Sequence, residues 1–295
     1  MSILVLGAYG QIGVSLIKVL ENNNYKIFKP RRSDLDICNG VLIKKYIQKI
    51  KPHTIINCAA YTDVDKSEKN MDECLRVNFS AVETISKICS KENIALIHIS
   101  SDYVFDGNSR IPYEEDHIEN PINFYGKSKL LAEQAIKKNM KNYLILRTSW
   151  VFGQNGKNFL KTMIDLASNK KQIQIIDDQI GSPTYSDDIA LTLKKIIYDK
   201  INGAFLPGTY NYCGAPATSW YEFAKEIIEF GFDNKMMNNL PKIIPITSDQ
   251  YPSLAARPKF SVLDCTKIKK LYDVSQPSWK QGIRSSLLLI RSSKL

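Results

Sequence analysis

The stretch Ile3-Leu4-Val5-Leu6-Gly7-Ala8-Tyr9-Gly10-Gln11-Ile12-Gly13 decides the fold. Its four leading apolar residues read as a buried strand, and a G-x-x-G-x-x-G spacing follows at the entry to a helix. Glycines there allow a tight turn, close backbone approach to a pyrophosphate and close packing of helix on strand, while the helix N-terminus offers free N–H groups to the anion. Gly7, Gly10, Gln11, Ile12 and Gly13 are therefore candidate dinucleotide-binding residues.

Outward from this loop, short apolar runs at 3–6, 25–28, 54–57, 95–100 and 143–147 predict strands. Between them, apolar residues at three- and four-residue spacing predict helices over 11–21, 41–50, 72–90 and 123–138. Strands alternating with helices imply a parallel sheet covered on both faces, so the fold class is α/β, doubly wound and Rossmann-type. After Trp150 the rhythm loosens into Pro and Gly breaks, including Gly181-Ser182-Pro183, Gly214-Ala215-Pro216, Pro241, Pro245, Pro252 and Pro258. Residues 1–150 are expected to form the dinucleotide-binding domain, with about 186–212 returning to it, and 151–295 mainly a smaller, mixed substrate-binding domain. Ser219-Trp220-Tyr221-Glu222 has capping-box spacing and predicts a helix start, as does Ser278 for a closing helix.

The 295 residues are 44% hydrophobic and 24% charged, which excludes disordered, collagenous and disulfide-scaffold classes. A net charge of +10 favours anionic partners, but its densest runs, Lys137-Lys138, Lys170-Lys171 and 267–270, lie beside periodic apolar positions and read as solvated helix faces. No nucleic-acid partner is expected. Cys38, Cys58, Cys74, Cys89, Cys213 and Cys265 show no Cys-x-x-Cys spacing, so no metal site is expected and the cysteines read as reduced thiols. The apolar N-terminal run is interrupted by Gly7, Gly10, Gln11 and Gly13, which fits neither a signal peptide nor a membrane span. A cytoplasmic location without a membrane partner is the expectation.

The end of the second strand reads Lys29-Pro30-Arg31-Arg32-Ser33. A 2′-phosphate requires cations where an NAD site usually has an acid, so Arg31 and Arg32 favour NADPH; Asp34 follows closely and keeps NADH open. The run at 95–100 leads into Ser101-Asp102-Tyr103, and further on stands Tyr125-Gly126-Lys127-Ser128-Lys129. A spacing of four puts Tyr125 and Lys129 on one helix face. Tyrosine near pKa 10 is a poor acid at neutral pH, but an ammonium within about 4 Å favours its anion by roughly 1 to 4 kcal/mol, so Lys129 is expected to lower the Tyr125 pKa.

With these elements together, the sequence resembles the extended short-chain dehydrogenase/reductases and, within them, the dTDP-4-dehydrorhamnose reductases. The resemblance spans nearly the whole chain and rests on several blocks. They are 7–13, Asp34-Leu35-Asp36-Ile37, 56–65, Ser101-Asp102-Tyr103-Val104-Phe105-Asp106-Gly107, 125–129, Arg147-Thr148-Ser149-Trp150-Val151-Phe152-Gly153, 178–184 and Ala256-Arg257-Pro258. It implies a catalytic hydroxyl at Ser101, where most relatives have Thr, and a catalytic pair at Tyr125 and Lys129. It further implies cofactor contacts at Asp36, Ile37, Ala59, Ala60, Tyr61, Tyr125 and Lys129, with Asn78 as a support within the site. The substrate would meet Thr62, Val64, Ser101, Tyr103, Tyr125 and Trp150, and Arg257 would lie near the nucleotide pyrophosphate. Some relatives dimerise through magnesium held by an acid on the first helix; the position here is Ser15, so no metal is carried over and a homodimer stays open.

The activity implied is NAD(P)H-dependent reduction of dTDP-4-dehydro-L-rhamnose to dTDP-L-rhamnose. Alternatives are a reductase or epimerase of another nucleotide-linked ketosugar, or a non-catalytic regulatory subunit on the same fold. A dehydratase usually carries an Asp-Glu pair beside the hydroxyl residue, and this chain has Asp102-Tyr103 instead.

Overall fold

Six strands form the central sheet of the computed structural model, which describes residues 1–21, 25–237 and 239–292. They are β1 (Ser2–Leu6), β2 (Lys26–Phe28), β3 (Thr54–Asn57), β4 (Ala95–Ser101), β5 (Tyr143–Thr148) and β6 (Gly208–Asn211). The order is β6-β5-β4-β3-β1-β2 and every neighbouring pair is parallel. β1, β3 and β4 are buried along their whole length, as strands covered on both faces must be. Strand order reverses between β1 and β3, and the crevice outside the carboxyl ends at such a switch point is where ligands bind.

The main helices are α1 (Gln11–Leu20), α2 (Gly40–Ile50), α3 (Ala81–Lys91), α4 (Phe124–Asn139), α5 (Phe159–Asn169), α6 (Ser186–Ile201), α7 (Trp220–Asp233), α8 (Thr266–Tyr272) and α9 (Trp279–Ser292). The two-residue period of a strand sends Ile3 and Val5 to one face, where they pack with Leu16 of α1, Ile189 and Leu193 of α6 and Ile268 of α8. Leu4 and Leu6 go to the other, against Ile43 of α2, Val82 of α3 and Ile136 of α4. A third apolar cluster joins Phe152, Leu160, Met163, Phe223, Ile227, Trp279 and Ile283, largely from α5, α7 and α9. Beside it, Gln172–Ile176 pairs in parallel with Lys242–Ile246.

Side chains fix the helix starts that matter for the site. Asn123 Oδ1 accepts from the Gly126 N–H at 2.7 Å and opens α4, while Ser219 Oγ accepts from the Glu222 N–H at 3.1 Å and opens α7 as its spacing predicts. The closing helix begins directly after Ser278. One predicted helix differs. The pattern over 72–90 predicts a single helix, whereas the structure has a short helix at Met71–Leu75, a π-helical turn at Arg76–Ser80 and then α3. The wide turn carries buried Asn78, whose amide donates to Tyr61 O at 3.1 Å and accepts from Tyr61 N–H at 2.8 Å. Apolar periodicity does not register such a local widening.

Candidate active site

The glycine loop is held by backbone contacts. Gly7 has φ +73°, and a Cβ on it would lie 2.5 Å from Ala59 N; a Cβ on Gly13 would lie 2.1 Å from Gly7 O. The loop is thereby pressed against the chain leaving β3. A cavity of about 260 Å³ opens there, lined by Gly7, Gly10, Arg32, Asp36, Ile37, Ala59 and Ala60. Gly10 also lines the adjoining cavity, and a Cβ there would meet only Gly7 O, at 3.4 Å. A side chain at Gly10 would therefore enter the space that the helix N-terminus faces, so the loop fits a dinucleotide phosphate. Arg32 borders this cavity, whereas the Arg31 guanidinium lies over the Tyr9 ring, 4.6 Å from its centroid. Tyr61 and Asn78 line neither cavity; Asn78 is 1% exposed and clamps the Tyr61 backbone from beneath.

The adjoining cavity, about 520 Å³, brings together Gln11, Ile12, Thr62, Val64, Ser101, Tyr103, Tyr125, Lys129 and Trp150. Ser101 ends β4, where its Oγ donates to Asp102 Oδ1 at 2.9 Å and accepts from the Tyr103 N–H at 3.1 Å. Tyr125 and Lys129 stand one turn apart on α4, and Lys129 Nζ donates to Ile99 O at 2.6 Å. Burial lowers the Lys129 ammonium to about 8, against the opposing charge of Glu133. Burial likewise raises the Asp102 carboxyl to about 7, although the hydroxyls of Ser261 and Ser101 favour its anion. Tyr125 departs from the sequence expectation: burial, then the charge of Asp102, pushes its phenol above the usual value, and the nearby Ser101 hydroxyl only partly opposes this. Withdrawing the phenol from water outweighs the help that its anion receives from Ser101.

The substrate-side residues divide. Tyr103 meets Tyr125 edge-on, with ring centroids 5.9 Å apart. Trp150, at φ 45°, stacks on Trp220 with centroids 3.5 Å apart and planes 8° apart. Gly181 permits that stack, since a Cβ there would lie 2.4 Å from the Trp150 ring. Arg257 lies across a neighbouring cavity of about 720 Å³ that shares Trp220. Its guanidinium forms a two-pronged ion pair with Asp65, at 2.7 and 3.2 Å. Sequence reasoning misses Trp220, which it reads only as the residue after a helix cap, and Asp65, which it leaves without a role. It also misses Asn158, which lines the cavity and donates to Gln11 Oε1 at 2.9 Å. No spacing pattern links residues so far apart in the chain.

Ser15 donates to Asp187 Oδ1 at 2.5 Å. Among the described residues no group of three or more His, Cys, Asp or Glu is placed to hold a metal ion, and no helix is long and apolar enough to cross a membrane.

The model of the RmlD substrate binding domain matches residues 1–291. The chain belongs to the RmlD family. A relative within that family, the dTDP-4-dehydrorhamnose reductase of Aggregatibacter actinomycetemcomitans, is 40% identical over 285 residues, spanning 96% of this chain and 97% of the relative. The crystal structure of the Clostridium acetobutylicum dTDP-4-dehydrorhamnose reductase superposes with a TM-score of 0.92 at 33% identity, covering 99% of this chain and 100% of that one. That of the Bacillus anthracis reductase, in complex with NADP, gives 0.90 at 36% identity, covering 98% and 99%. The family model thus spans all but the last of the described residues.

Proposed function

We propose that this chain reduces dTDP-4-dehydro-L-rhamnose to dTDP-L-rhamnose with NADPH as the preferred cofactor. The observation that carries the reading is the one cavity that Ser101, Tyr125 and Lys129 line together, adjoining the glycine loop. NADPH, when bound, supplies the hydride. Gly7, Gly10, Gln11, Ile12 and Gly13 shape the loop for its phosphates, with Arg32 and Arg31 toward the 2′-phosphate, Asp36 and Ile37 at the adenine, and Ala59, Ala60 and Tyr61 along its length.

Tyr125 protonates the alkoxide that develops at the sugar 4-oxygen, and a raised phenol pKa keeps its proton in place until that oxygen becomes basic. Lys129 serves Tyr125 and the nicotinamide ribose. Ser101 donates to the same sugar oxygen, a contribution on the order of 10²-fold or more. Its hydrogen points to Asp102 in this structure, and the protonated form of Asp102 releases it by donating to Ser101 Oγ instead. Tyr103, Trp150, Thr62 and Val64 enclose the deoxysugar, while Arg257, fixed by Asp65, faces the nucleotide. In this reading residues 1–150, joined by about 186–212, serve the cofactor, the remainder mainly serves the sugar nucleotide, and the enzyme works in the cytoplasm.

The test is direct. The ketosugar is made enzymatically from dTDP-glucose, this protein is added with NADPH or NADH, and the product is identified by NMR. Formation of dTDP-L-rhamnose, faster with NADPH, is expected; a product of another sugar configuration would reassign the substrate, and absence of cofactor oxidation would refute the activity.

A further inference from the structure

Behind the active site lie three buried side chains whose hydrogen-bond directions follow from which atoms can donate and from burial. Asn57, at the end of β3, is 1% exposed, and His98, in β4, is fully buried. The Ala59 N–H can only donate, and it bonds to Asn57 Oδ1 at 3.1 Å. That contact orients the amide. Asn57 Nδ2 is consequently the atom 3.1 Å from His98 Nδ1, and it too can only donate, so Nδ1 accepts and carries no proton. Burial drives the imidazole well below its usual pKa and keeps the ring neutral, which leaves its one proton on Nε2. Nε2 in turn stands 3.4 Å from Lys129 Nζ.

An Nε2–H facing an ammonium sets donor against donor; facing an amine, it donates into the lone pair. We infer that Asn57 and His98 are positioning residues that, through the imidazole tautomer, favour the amine form of Lys129 over its ammonium and so ease loss of the Lys129 proton. Protonating Lys129 then forces a choice. Either the ring proton moves to Nδ1 and faces the Asn57 amide, or it stays on Nε2 and faces the ammonium, and one buried hydrogen bond is lost in both cases. Lys129 thereby gives up its proton more readily, one helical turn from Tyr125.

The other groups around Lys129 do not reverse this. Glu133, one turn on, favours the ammonium but is engaged by Arg147 at 2.6 Å. The thiols of Cys58 and Cys74 are pushed up by burial and carry no charge at neutral pH. The catalytic consequence rests on the reductase reading, whereas the tautomer stands without it.

The first test is imidazole NMR on the whole protein labelled with 15N in histidine. His98 is assigned by the signals lost in His98→Phe, and as a buried neutral ring it should fail to titrate between about pH 5 and 8. An unprotonated Nδ1 with a protonated Nε2 is expected; the opposite tautomer overturns the inference, and the wild-type spectrum needs no variant to fold. The second test is the pH profile of kcat/KM. Asn57→Asp keeps an acceptor for the Ala59 N–H and offers another to an Nδ1–H, so it reverses the tautomer and should move the alkaline limb upward by about one pH unit. A carboxylate also acts through space, so the same substitution is made in the His98→Phe protein. There the shift should vanish, and an equal shift in both backgrounds overturns the proposal. Absence of ketosugar turnover with the expected tautomer intact would count against the reductase reading alone.

Discussion

The turns that leave β1 and β4 both deliver residues to the same crevice, yet they are built from different materials. The first is made of backbone: Gly7 and Gly13 are packed so closely that an added Cβ would collide with Ala59 N or Gly7 O. The second is made of buried side chains, with Ser101 against Asp102, Tyr103 against Tyr125, and the hydroxyl of Ser261 beside the Asp102 carboxyl. Steric exclusion places a ligand, and displaced protonation equilibria do chemistry on it. Substitutions in the two turns should therefore fail in different ways.

The largest separation is expected at the second turn's partner on α4. Tyr125→Phe should lower kcat by about 10²- to 10⁴-fold while NADPH affinity, measured by fluorescence titration, changes only a few fold. A kcat within a few fold of wild type would remove Tyr125 from proton delivery. At the first turn the pattern inverts: Gly13→Ala forces a Cβ against Gly7 O, which should cost roughly 1 to 3 kcal/mol of stability and weaken NADPH binding together. Calorimetry with and without NADPH checks this, and a variant that melts normally and binds normally would show that the loop is not sterically set.

Asp102 sharpens the contrast through pH. Its carboxyl is raised to about 7 in the folded protein, so between about pH 4 and 7 the native state holds a proton that the unfolded chain has released. Stability is therefore lost as pH rises through that window. Asp102→Asn escapes the loss, and the stability of wild type relative to the variant should fall by on the order of 1 to 4 kcal/mol between pH 5 and 8 in urea titrations. A constant difference would mean that Asp102 titrates as an ordinary surface acid. The smallest effect is expected for Arg31→Ala combined with Arg32→Ala, which should narrow the preference for NADPH over NADH by several fold, since only a 2′-phosphate loses charge-assisted hydrogen bonds. Equal changes in the two cofactors' KM would detach both arginines from that phosphate.

The same contrast governs what could be read from the chain beforehand. Glycine spacing, alternating strand and helix periods, and the cap at Ser219 are local, because each is decided by residues within a few positions of one another. Ser101, Tyr125 and Lys129 were legible as a hydroxyl after a strand and a four-residue pair on a helix. The π-turn around Asn78 was not, because its cause is the backbone of Tyr61, seventeen residues away. The Trp150–Trp220 stack and the Asp65–Arg257 pair join residues 70 and 192 positions apart and leave no periodic trace. The direction of the Tyr125 shift was misjudged because spacing reports the Lys129 neighbour but not how far both groups are withdrawn from water.

The order of the strands also sets a schedule. β6 completes the edge of a sheet begun two hundred residues earlier, and Ile189, Leu193, Ile268 and Tyr272 help to cover one of its faces. When residue 150 leaves the ribosome, that face is covered only by α1, and about 120 further residues must follow before α8 can seal it. At roughly 5 to 20 residues per second the nascent chain spends some 6 to 24 s with an open apolar surface and an unpaired edge at β5. The late-arriving segments thus make the first half of this molecule dependent on the second while it is being made, for both its sheet edge and the cover of one face.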